Sequence, residues 1–483
     1  MRIVFATAEL APVAAVGGLA QAAAGLTAEL RRQGVEVDVV LPDYSGLELA
    51  DEQVEPLVVP GWAGPVTMRT GVHAVAGPLR LVSAPNLRRA HPYLQPDGTG
   101  WPDNAERFMV FSAAIAAFVA ARRPDVLHVN DWHTGAALAA VDPSLPTVLS
   151  LHNLAYQGTT DGSWLTRIGP RAVHYEWYGG TNPLSGAIAL ADAVVAVSPT
   201  YASEILTPEG GFGLDGALRD RWAAVSGILN GIDDMAWDPA TDPALAAAYS
   251  AADSTDDRAA AKAGNRAVVA GRVGWEGDDG RPLAVMVTRL TDQKGVDLVA
   301  PLVPVLDDVP LRLVVLGTGD ARLADHLRAA ATAHPGSFAF VEAYDDAFAH
   351  LLFGAADIYL MPSRFEPCGL AQMQAMRYGA LPVVTDVGGL HDTVVDADRQ
   401  RNGTGFVAPA VTEAAVTAAL FRAVRRLSNR RQREAMTKRA MRIDWSWRDP
   451  VRRYIALYQR LIASRAADPA TFAVRGTAHP PSH

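Results

Sequence analysis

Cysteine is almost absent from this sequence, in which Cys368 is the single one among 483 residues. No disulfide bond can therefore form within the chain, which excludes the small secreted folds that disulfide bonds hold together. A chain without disulfide bonds fits a reducing compartment, and we expect the protein in the cytoplasm.

Long apolar runs are also lacking. Residues 10–28 carry no charge, but Pro12, Gly17 and Gly18 interrupt them. Residues 108–121 are more uniformly apolar, but they are too few for a membrane-spanning helix, which needs about 20 residues. The sequence therefore predicts no membrane partner.

Positive charge is in deficit. The 43 Lys and Arg residues are outnumbered by 52 Asp and Glu residues, and the net charge at pH 7 is -9. We expect no concentrated basic surface, so nucleic acids and anionic membranes are poor candidate partners. The hydrophobic fraction of 49% is typical of a soluble globular protein.

Short β-branched apolar segments alternate with helical patterns along the chain. The first forty residues predict a strand at 2–8, a helix with apolar residues from Leu19 to Leu30, and a strand at 35–41. Further strands are predicted at 126–129, 147–151, 193–197, 283–288, 312–316, 338–341, 358–361 and 381–384. Continuous apolar strands between amphipathic helices are typical of parallel sheets that helices cover on both faces. The predicted fold class is therefore α/β, with two Rossmann-like, doubly wound domains.

The composition divides the chain into five segments. It changes after Trp237, where a stretch rich in Ala, Asp and Gly begins. The predicted segments are a first Rossmann-like domain at 1–238, a connector at 239–280, a second Rossmann-like domain at 281–444, a C-terminal helix at 445–465 that packs back toward the first domain, and a disordered tail at 466–483. Because ligands of such sheets bind at the carboxyl ends of the strands, we expect the two domains to face a central cleft.

A glycine pair occurs in a similar setting in each half. The chain has Val16-Gly17-Gly18-Leu19 in the first half and Val387-Gly388-Gly389-Leu390 in the second, each between a predicted strand and a predicted helix. A helix N-terminus with glycine offers N–H groups to an anion, but a glycine pair can also simply form a tight turn. The sequence leaves both interpretations open.

Two polar loops of the second half follow predicted strands. Glu366 precedes a helix predicted from Gly369 to Gly379, where its carboxylate could bind sugar hydroxyls or merely lie at the helix start. Arg289 and Lys294 share a loop after another strand. Two fixed cations can neutralise the charge that develops on a leaving diphosphate, although such residues are more often solvated surface groups.

Two strand ends of the first half carry polar and aromatic residues. His152 follows one predicted strand, where a cleft residue is expected, although a lone histidine is more often structural. Asp131, Trp132 and His133 follow another strand and suit a carbohydrate surface. A core tryptophan with a capping aspartate is the alternative.

Five stretches together resemble one family. The chain contains SRFEPCGL, RLTDQKGVDL, LHNLAYQG, VSPTYASEI and GILNGID, which are similar to stretches of bacterial glycogen synthases and plant starch synthases, glycosyltransferase family 5. The resemblance runs in order from about residue 1 to residue 461. It implies the GT-B fold and a retaining transfer from a nucleoside-diphosphate sugar to a maltooligosaccharide-like acceptor. It also implies no metal and no cofactor besides the donor substrate.

The resemblance further implies roles for individual residues, with the acceptor on the first domain and the donor mainly on the second. The implied catalytic residues are His152, Arg289, Lys294 and Glu366; further donor-binding residues are Gly17, Gly18, Asn230, Tyr344, Cys368, Gly369 and Leu370; the acceptor-binding residues are Asp131, Trp132, His133, Asn153 and Tyr156. Tyr344 is expected to stack on the nucleobase, and Cys368 to lie near the site without being a nucleophile. We identify no carboxylate nucleophile. We therefore hypothesise a front-face mechanism, in which the acceptor attacks from the side on which the diphosphate leaves.

One loop departs from the family pattern. Synthases of this family carry K-T-G-G-L followed by an acidic residue, and this chain has Ala15 and Gln21 at the two charged positions. Losing a lysine contact to a diphosphate costs on the order of 1.5–3 kcal/mol. The protein could be a synthase with a substitute cation, a non-catalytic relative, or an enzyme for a different donor or acceptor. We predict the last, because all four implied catalytic residues remain.

An example of such a divergent activity is known among relatives of starch synthase. These include a pseudoglycosyltransferase of acarbose-type aminooligosaccharide biosynthesis, which joins a nucleotide-activated cyclitol to an amino sugar through a C–N bond. The alternatives are an ordinary ADP-glucose glycogen synthase and a non-catalytic carbohydrate-binding protein. A phosphorylase is disfavoured because no pyridoxal phosphate lysine motif is found. A dinucleotide enzyme is disfavoured because Arg322 replaces the third glycine of the pattern that begins at Gly317. The donor base, the acceptor length and the oligomeric state stay open.

Overall fold

The computed structural model describes residues 1–467, which form two compact units. The first unit comprises Met1–Gly231 and residues 447–467, and the second comprises Ile232–Ser446. The chain enters and leaves the second unit at one place, because the N–H of Ile232 donates to the carbonyl oxygen of Trp445 at 2.8 Å. The change of unit therefore comes at residue 232 rather than at the predicted residue 238.

Alternating strands and helices build the first unit. In chain order they are β1 (Arg2–Ala6), α1 (Gly18–Arg32), β2 (Glu36–Pro42), β3 (Ala50–Pro56), β4 (Thr67–His73), β5 (Gly77–Ser83), α2 (Asn104–Arg122), β6 (Val126–Asn130), α3 (Asp131–Gly135), β7 (Thr147–Leu151), β8 (Thr160–Asp161), β9 (Glu176–Trp177), β10 (Gly180–Thr181), α4 (Pro183–Leu190), β11 (Ala193–Ala196), α5 (Pro199–Glu204), α6 (Asp215–Asp220) and β12 (Val225–Gly227). The strands predicted in this half correspond to β1, β2, β6, β7 and β11, with ends that differ by at most two residues.

Most of these strands form one sheet, in the order β12-β11-β7-β6-β1-β2-β5-β4-β3. The strands from β12 to β5 are parallel, and β4 runs antiparallel to β5 and β3. Strands β8, β9 and β10 form a separate small sheet. The parallel centre is buried on both faces, as the adjacent residues Val4 and Phe5 of β1 show with exposures of 0% and 1%, because neighbouring side chains of a strand point to opposite faces. Because β6 and β7 are parallel neighbours in this sheet, their carboxyl ends lie side by side.

Helix α2 is the one helix in residues 1–467 whose length and composition would suit a membrane span. It has 19 residues and is longer than the predicted apolar run at 108–121. However, 61% of its most apolar window is buried within the protein. Arg107 on this helix is fully buried, and its guanidinium donates to the carbonyl oxygens of Asn86 and Leu87. A charged side chain is costly in lipid. The buried and hydrogen-bonded Arg107 is therefore typical of a helix in a protein core.

The second unit is a doubly wound fold. Its elements are α7 (Thr255–Val273), β13 (Leu283–Val287), α8 (Val299–Leu302), β14 (Arg312–Leu316), α9 (Ala321–Ala333), β15 (Phe338–Val341), α10 (Asp346–Ala355), β16 (Ile358–Met361), α11 (Ala371–Arg377), β17 (Leu381–Thr385), α12 (Gly388–Thr393), β18 (Phe406–Ala408), α13 (Glu413–Leu427) and α14 (Arg430–Met441). The strands are parallel, in the order β15-β14-β13-β16-β17-β18. The predicted α/β fold class is therefore confirmed, and α11 is shorter than the helix predicted from 369 to 379.

The segment predicted as a connector, 239–280, belongs to the second unit. Tyr249 donates its hydroxyl to the carbonyl oxygens of Gly354 and Tyr378, at the ends of α10 and α11. Lys262 of α7 donates to the same two carbonyl oxygens. The Ala-, Asp- and Gly-rich composition resembled a linker, but these buried polar contacts fix the segment against the unit.

The last helix of the described residues is α15 (Arg448–Ala467), which belongs to the first unit and was predicted at 445–465. The hydroxyl of Tyr458 lies 2.7 Å from Nδ1 of His128 on β6, so this helix packs on the sheet. Of the predicted disordered tail at 466–483, residues 466 and 467 are helical. The rest of that tail lies outside the described residues.

A concentrated basic segment exists in the second unit, so the expectation of none is wrong. Residues 422–442, in α13, α14 and their connection, contain eight arginines and one lysine but only one acidic residue, Glu434. The negative total charge of the chain conceals this local excess.

Candidate active site

The strand order of the second unit defines its ligand-binding edge. From β13 the chain adds β14 and β15 on one side, and from β16 it adds β17 and β18 on the other. The carboxyl ends of β13 and β16 are thus the topological switch point, where open α/β sheets bind ligands. Lys294 follows β13 and Glu366 follows β16, so the sheet brings together two residues that lie 72 positions apart in the sequence.

Lys294 and Glu366 form an ion pair at this switch point. Nζ of Lys294 lies 2.6 Å from Oε2 of Glu366, and the two side chains are only 16% and 7% exposed. The hydroxyl of Ser363 donates to the same carboxylate oxygen at 3.0 Å. Charge-assisted contacts of this kind are stronger than neutral ones, so the carboxylate is held in one orientation. It does not cap a helix, because α11 begins at Ala371.

Arg289 offers a second cation on the loop after β13. It is exposed, and its guanidinium has neither a hydrogen bond nor an ion pair with any residue that the structure describes. An unpaired guanidinium presents a planar set of donors that matches phosphate oxygens. The interpretation of Arg289 as an anion-binding residue is therefore compatible with its surroundings.

The second glycine pair has a packing reason to be glycine. The N–H of Gly389 donates to the carbonyl oxygen of Glu366 at 2.9 Å, and a β-carbon on Gly389 would overlap the carbonyl group of Cys368. The start of α12 therefore packs tightly against the loop that carries Glu366. Cys368 is 5% exposed, and Gly369 has a positive φ of 71°, as expected for a tight loop.

The first glycine pair has no such reason. Neither Gly17 nor Gly18 has a positive φ, and a β-carbon on either would meet nothing within 4 Å. Gly17 donates its N–H to Oε2 of Glu9 at 2.9 Å. Because packing within the chain does not require glycine here, a closely approaching ligand remains the explanation to test.

We expect Gly389→Ala to lower the melting temperature and Gly18→Ala to leave it nearly unchanged. Forcing extra atoms into a packed site costs about 1–3 kcal/mol, and at Gly389 the obstacle is backbone. Thermal unfolding followed by circular dichroism compares the two variants directly. If both variants melted like the wild type, the close approach of α12 to the Glu366 loop would be wrong.

The remaining predicted donor residues lie at separate places. Tyr344 follows β15 at the sheet edge and is 87% exposed, which leaves its ring free for stacking. Leu370 precedes α11 directly. Asn230 is 6% exposed and follows β12, the edge strand of the first sheet. Their contacts with a nucleotide stay predictions.

In the first unit, His152 and Asp131 follow the neighbouring strands β7 and β6. The backbone N–H of His152 donates to Oδ1 of Asp131 at 2.7 Å, and Nε2 of His152 lies 2.9 Å from Oδ1 of Asn130. Burial lowers the pKa of His152 to about 4, so the ring is neutral at pH 7. A neutral ring held by Asn130 can offer a fixed hydrogen bond to a substrate.

Asp131 has an unusual backbone and an unusual pKa. Its φ is 52°, a left-handed value that Asp and Asn tolerate better than most residues. Burial raises its pKa to about 7, although hydrogen bonds from the N–H groups of His152 and Asn153 oppose this change. The desolvation of the carboxylate outweighs those bonds.

The raised pKa of Asp131 predicts a pH-dependent stability. A carboxyl group whose pKa is about 7 in the folded state, against about 3.9 when unfolded, binds more protons when folded between these values. Its contribution to stability is therefore fully present at low pH and is lost as the pH rises toward 7 and above. We expect the melting temperature of the wild type minus that of Asp131→Asn to fall between pH 5 and pH 8. A difference that stayed constant, or rose with pH, would contradict the raised pKa.

The aromatic residues beside Asp131 are largely packed. Trp132 and His133 lie with ring centroids 4.2 Å apart, and Phe108 packs on both. A β-carbon on Gly158 would overlap the Trp132 ring, so this ring has a structural role whether or not it also contacts sugar. Burial lowers the pKa of His133 to about 3.

The other two predicted acceptor residues lie on the loop after β7. Oδ1 of Asn153 accepts the N–H of Ala155, and Tyr156 is 58% exposed. Acceptor binding by either stays a prediction.

The sequence analysis missed Glu9, which follows β1. Its carboxylate is buried and accepts the N–H groups of Val16 and Gly17 as well as the hydroxyl of Tyr93 at 2.8 Å. Glu9 thereby holds the loop in which Ala15 replaces the family lysine; Ala15 itself is exposed. A charged residue shortly after an apolar strand was the signal that the sequence offered.

Comparisons with known proteins agree with the geometry of both units. Residues 2–220 match the starch synthase catalytic domain, and residues 272–442 match the glycosyl transferases group 1 domain. The chain is 41% identical to glycogen synthase 1 of Methylococcus capsulatus, over 97% of this chain and 98% of that protein. It is 38% identical to the glycogen synthase of Acidiphilium cryptum, over 95% and 99%.

Two solved structures are also similar. One is the catalytic domain of starch synthase IV from Arabidopsis thaliana bound to ADP and acarbose, with a TM-score of 0.85, 30% identity and coverage of 96% of this chain and 99% of that one. The other is sucrose-phosphate synthase from Thermosynechococcus elongatus, with a TM-score of 0.61, 18% identity and the same coverage. The second likeness concerns the fold alone.

Proposed function

Because the chain belongs to the glycogen and starch synthase family of glycosyltransferases, we propose that it transfers glucosyl units from ADP-glucose to the non-reducing-end 4-hydroxyl of an α-glucan. The similarity to glycogen synthases extends over nearly the whole chain, which favours this ordinary activity over the divergent one predicted from the sequence. The starch synthase neighbour binds ADP and acarbose, which supports an adenine nucleotide and a maltooligosaccharide-like acceptor.

The observation that carries the proposal is the Lys294–Glu366 pair at the switch point, with the unpaired Arg289 on the same loop as Lys294. A nucleoside-diphosphate donor needs cations for its phosphates and an acceptor of hydrogen bonds for its sugar hydroxyls. Lys294 and Arg289 supply the cations, and Glu366 supplies the hydrogen-bond acceptor. Such preorganised charges stabilise the diphosphate as it leaves.

The proposed reaction retains the anomeric configuration. The bond from the anomeric carbon to the diphosphate oxygen breaks, the acceptor 4-oxygen bonds to the same face of that carbon, and the acceptor proton passes to the leaving diphosphate. Neutral His152 contributes a hydrogen bond to the transition state. No bond forms to Glu366 in this reaction, and its Oε2 is held by Lys294 and Ser363.

We propose that transfer is metal-independent and takes place in the cytoplasm. Lys294 and Arg289 take the charge-neutralising role that a divalent cation has in other phosphate chemistry. Unchanged turnover in excess EDTA is the expected result, and restoration of activity by added Mg²⁺ would contradict it.

A second candidate function rests on Ala15 and Gln21, which replace a lysine and an acidic residue of the family motif. A donor with a different shape or charge would no longer need those side chains. A cyclitol transfer to an amino sugar, with C–N bond formation, is the version of this idea that the sequence suggests.

One donor screen separates the two candidates. ADP-, GDP-, UDP- and dTDP-glucose are each offered with glycogen or maltotriose, and an activated cyclitol is offered with an amino-sugar acceptor. We expect release of ADP and an elongated α-1,4-glucan with the first donor. Turnover only with the cyclitol donor would replace the first candidate with the second, and carbohydrate binding without turnover of any donor would refute both.

A further inference from the structure

A second candidate binding site lies near the amino ends of the strands of the second sheet. The strands of this sheet are parallel, so their amino ends lie opposite the edge that carries Lys294 and Glu366. A cavity of about 340 Å³ is formed there by the loop at 397–403, before β18, together with the end of α13 and one face of α14. Its volume lies within the range of small-molecule pockets, which is about 300–1,000 Å³.

Arginines dominate the polar lining of this cavity. The charged residues that line it are four arginines and one aspartate, namely Arg399, Arg401, Arg426, Arg439 and Asp398. Two of the four are braced by the loop, because Arg426 is paired with Asp398 and Arg439 donates to the carbonyl oxygen of Gly403. Their guanidinium groups are therefore held in place before any ligand arrives.

The other two arginines have no compensating partner. Arg399 and Arg401 are exposed, and neither guanidinium makes a hydrogen bond or an ion pair within residues 1–467. The rest of the lining includes Gln432, a hydrogen-bonding amide, and the apolar Met436. The cavity thus combines excess positive charge with neutral polar and apolar surface.

We propose that this cavity binds a small metabolite with two or more negative charges, of the phosphorylated type. Guanidinium groups pair with phosphate oxygens through two parallel hydrogen bonds, and four of them converge on one concave space. The amide of Gln432 can bind a hydroxyl group of the same molecule. The proposal does not depend on the transferase reaction, because no residue of this cavity belongs to the donor site.

A nucleic acid is the competing occupant of a basic segment. Its backbone would contact arginines along the outer surface of α13 and α14, including Arg425 and Arg431, which lie outside the cavity. The two unpaired arginines of the loop instead line one concave space together with Arg426 and Arg439. This convergence favours a small molecule over an extended polymer.

Calorimetric titration of the full chain tests the proposal. The probes are pyrophosphate and fructose 1,6-bisphosphate, with fructose as the uncharged control and a single-stranded oligonucleotide as the polymer control. The test variant is Arg399→Gln with Arg401→Gln, and the matched variant removes two exposed charges outside the cavity, Arg425→Gln with Arg431→Gln. Each probe is also titrated into Lys294→Ala, which disables the proposed donor site.

We expect at least one charged probe to bind with a stoichiometry of one. Its affinity should fall at least tenfold in the Arg399/Arg401 variant and change less than threefold in both the Arg425/Arg431 variant and Lys294→Ala. The proposal is overturned if no charged probe binds, if both double variants weaken binding equally, or if Lys294→Ala abolishes it. Binding of the oligonucleotide alone would assign the basic segment to a polymer and overturn it as well.

Discussion

Lys294→Ala is expected to lower kcat for glucosyl transfer about 100- to 1000-fold, the loss that follows removal of one preorganised charge-stabilising donor. The variant removes a cation from the diphosphate and also leaves Glu366 without its ion-pair partner at 2.6 Å. The carboxylate would then repel the departing diphosphate. Initial rates of ADP release, with glycogen in excess, measure the effect.

The chain offers a matched control for this substitution. Lys438 lies on α14, outside the loops at the switch point, and Lys438→Ala removes the same charge from the same unit. It should keep kcat within about twofold of the wild type, since surface changes of this kind are usually small. Comparable kcat values for Lys294→Ala and the wild type, with equal melting temperatures, would remove Lys294 from the mechanism.

His152→Ala is expected to lower kcat about 100-fold with little change in KM for ADP-glucose. The hydrogen bond between Nε2 and Asn130, at 2.9 Å, fixes the ring, so its contribution is available in the transition state without reorganisation. Because the pKa of His152 is about 4, the ring is neutral across the physiological range. The wild-type rate should therefore show no loss between pH 8 and pH 6 from protonation of this residue.

His326→Ala is the control for that prediction, because His326 is an exposed histidine on α9. It should leave both kcat and its pH dependence unchanged. A rise in KM without a fall in kcat for His152→Ala would mean that the histidine contributes only to binding.

The central strands of both units could be predicted from the sequence because they are continuous apolar runs. Strands β7, β14, β15 and β16 begin and end at the predicted residues. Strand β3 could not be found in this way, since all seven of its residues are exposed and it is held by pairing with β4 at the sheet edge. The segment that contains α7 was assigned to a connector because it is rich in Ala, Asp and Gly, yet contacts of Lys262 with distant helix ends fix it in place.

The site residues were found by motif, but their partners were not. Nothing in the spacing of Lys294 and Glu366 indicates that their side chains meet, because this depends on β13 and β16 being neighbours in the sheet. The two glycine pairs look alike in sequence, and only the structure separates Gly389, which backbone contacts require, from Gly18, which faces open space. The role of Glu9 depends on the fold of the loop that brings the N–H of Gly17 to its carboxylate, and on Tyr93, which lies 84 positions away in the sequence.

The most direct test of the donor site is the affinity of Arg289→Ala for ADP, measured by calorimetry beside Arg425→Ala. Arg289 is exposed and unpaired within the described chain, so its removal should not disturb the fold. A charge-assisted hydrogen bond of about 1.5–3 kcal/mol predicts ADP binding that is weaker by about 10- to 150-fold than in the wild type, with no change for Arg425→Ala. Equal affinities for ADP in all three proteins would contradict the assignment of the switch-point loops to the donor diphosphate.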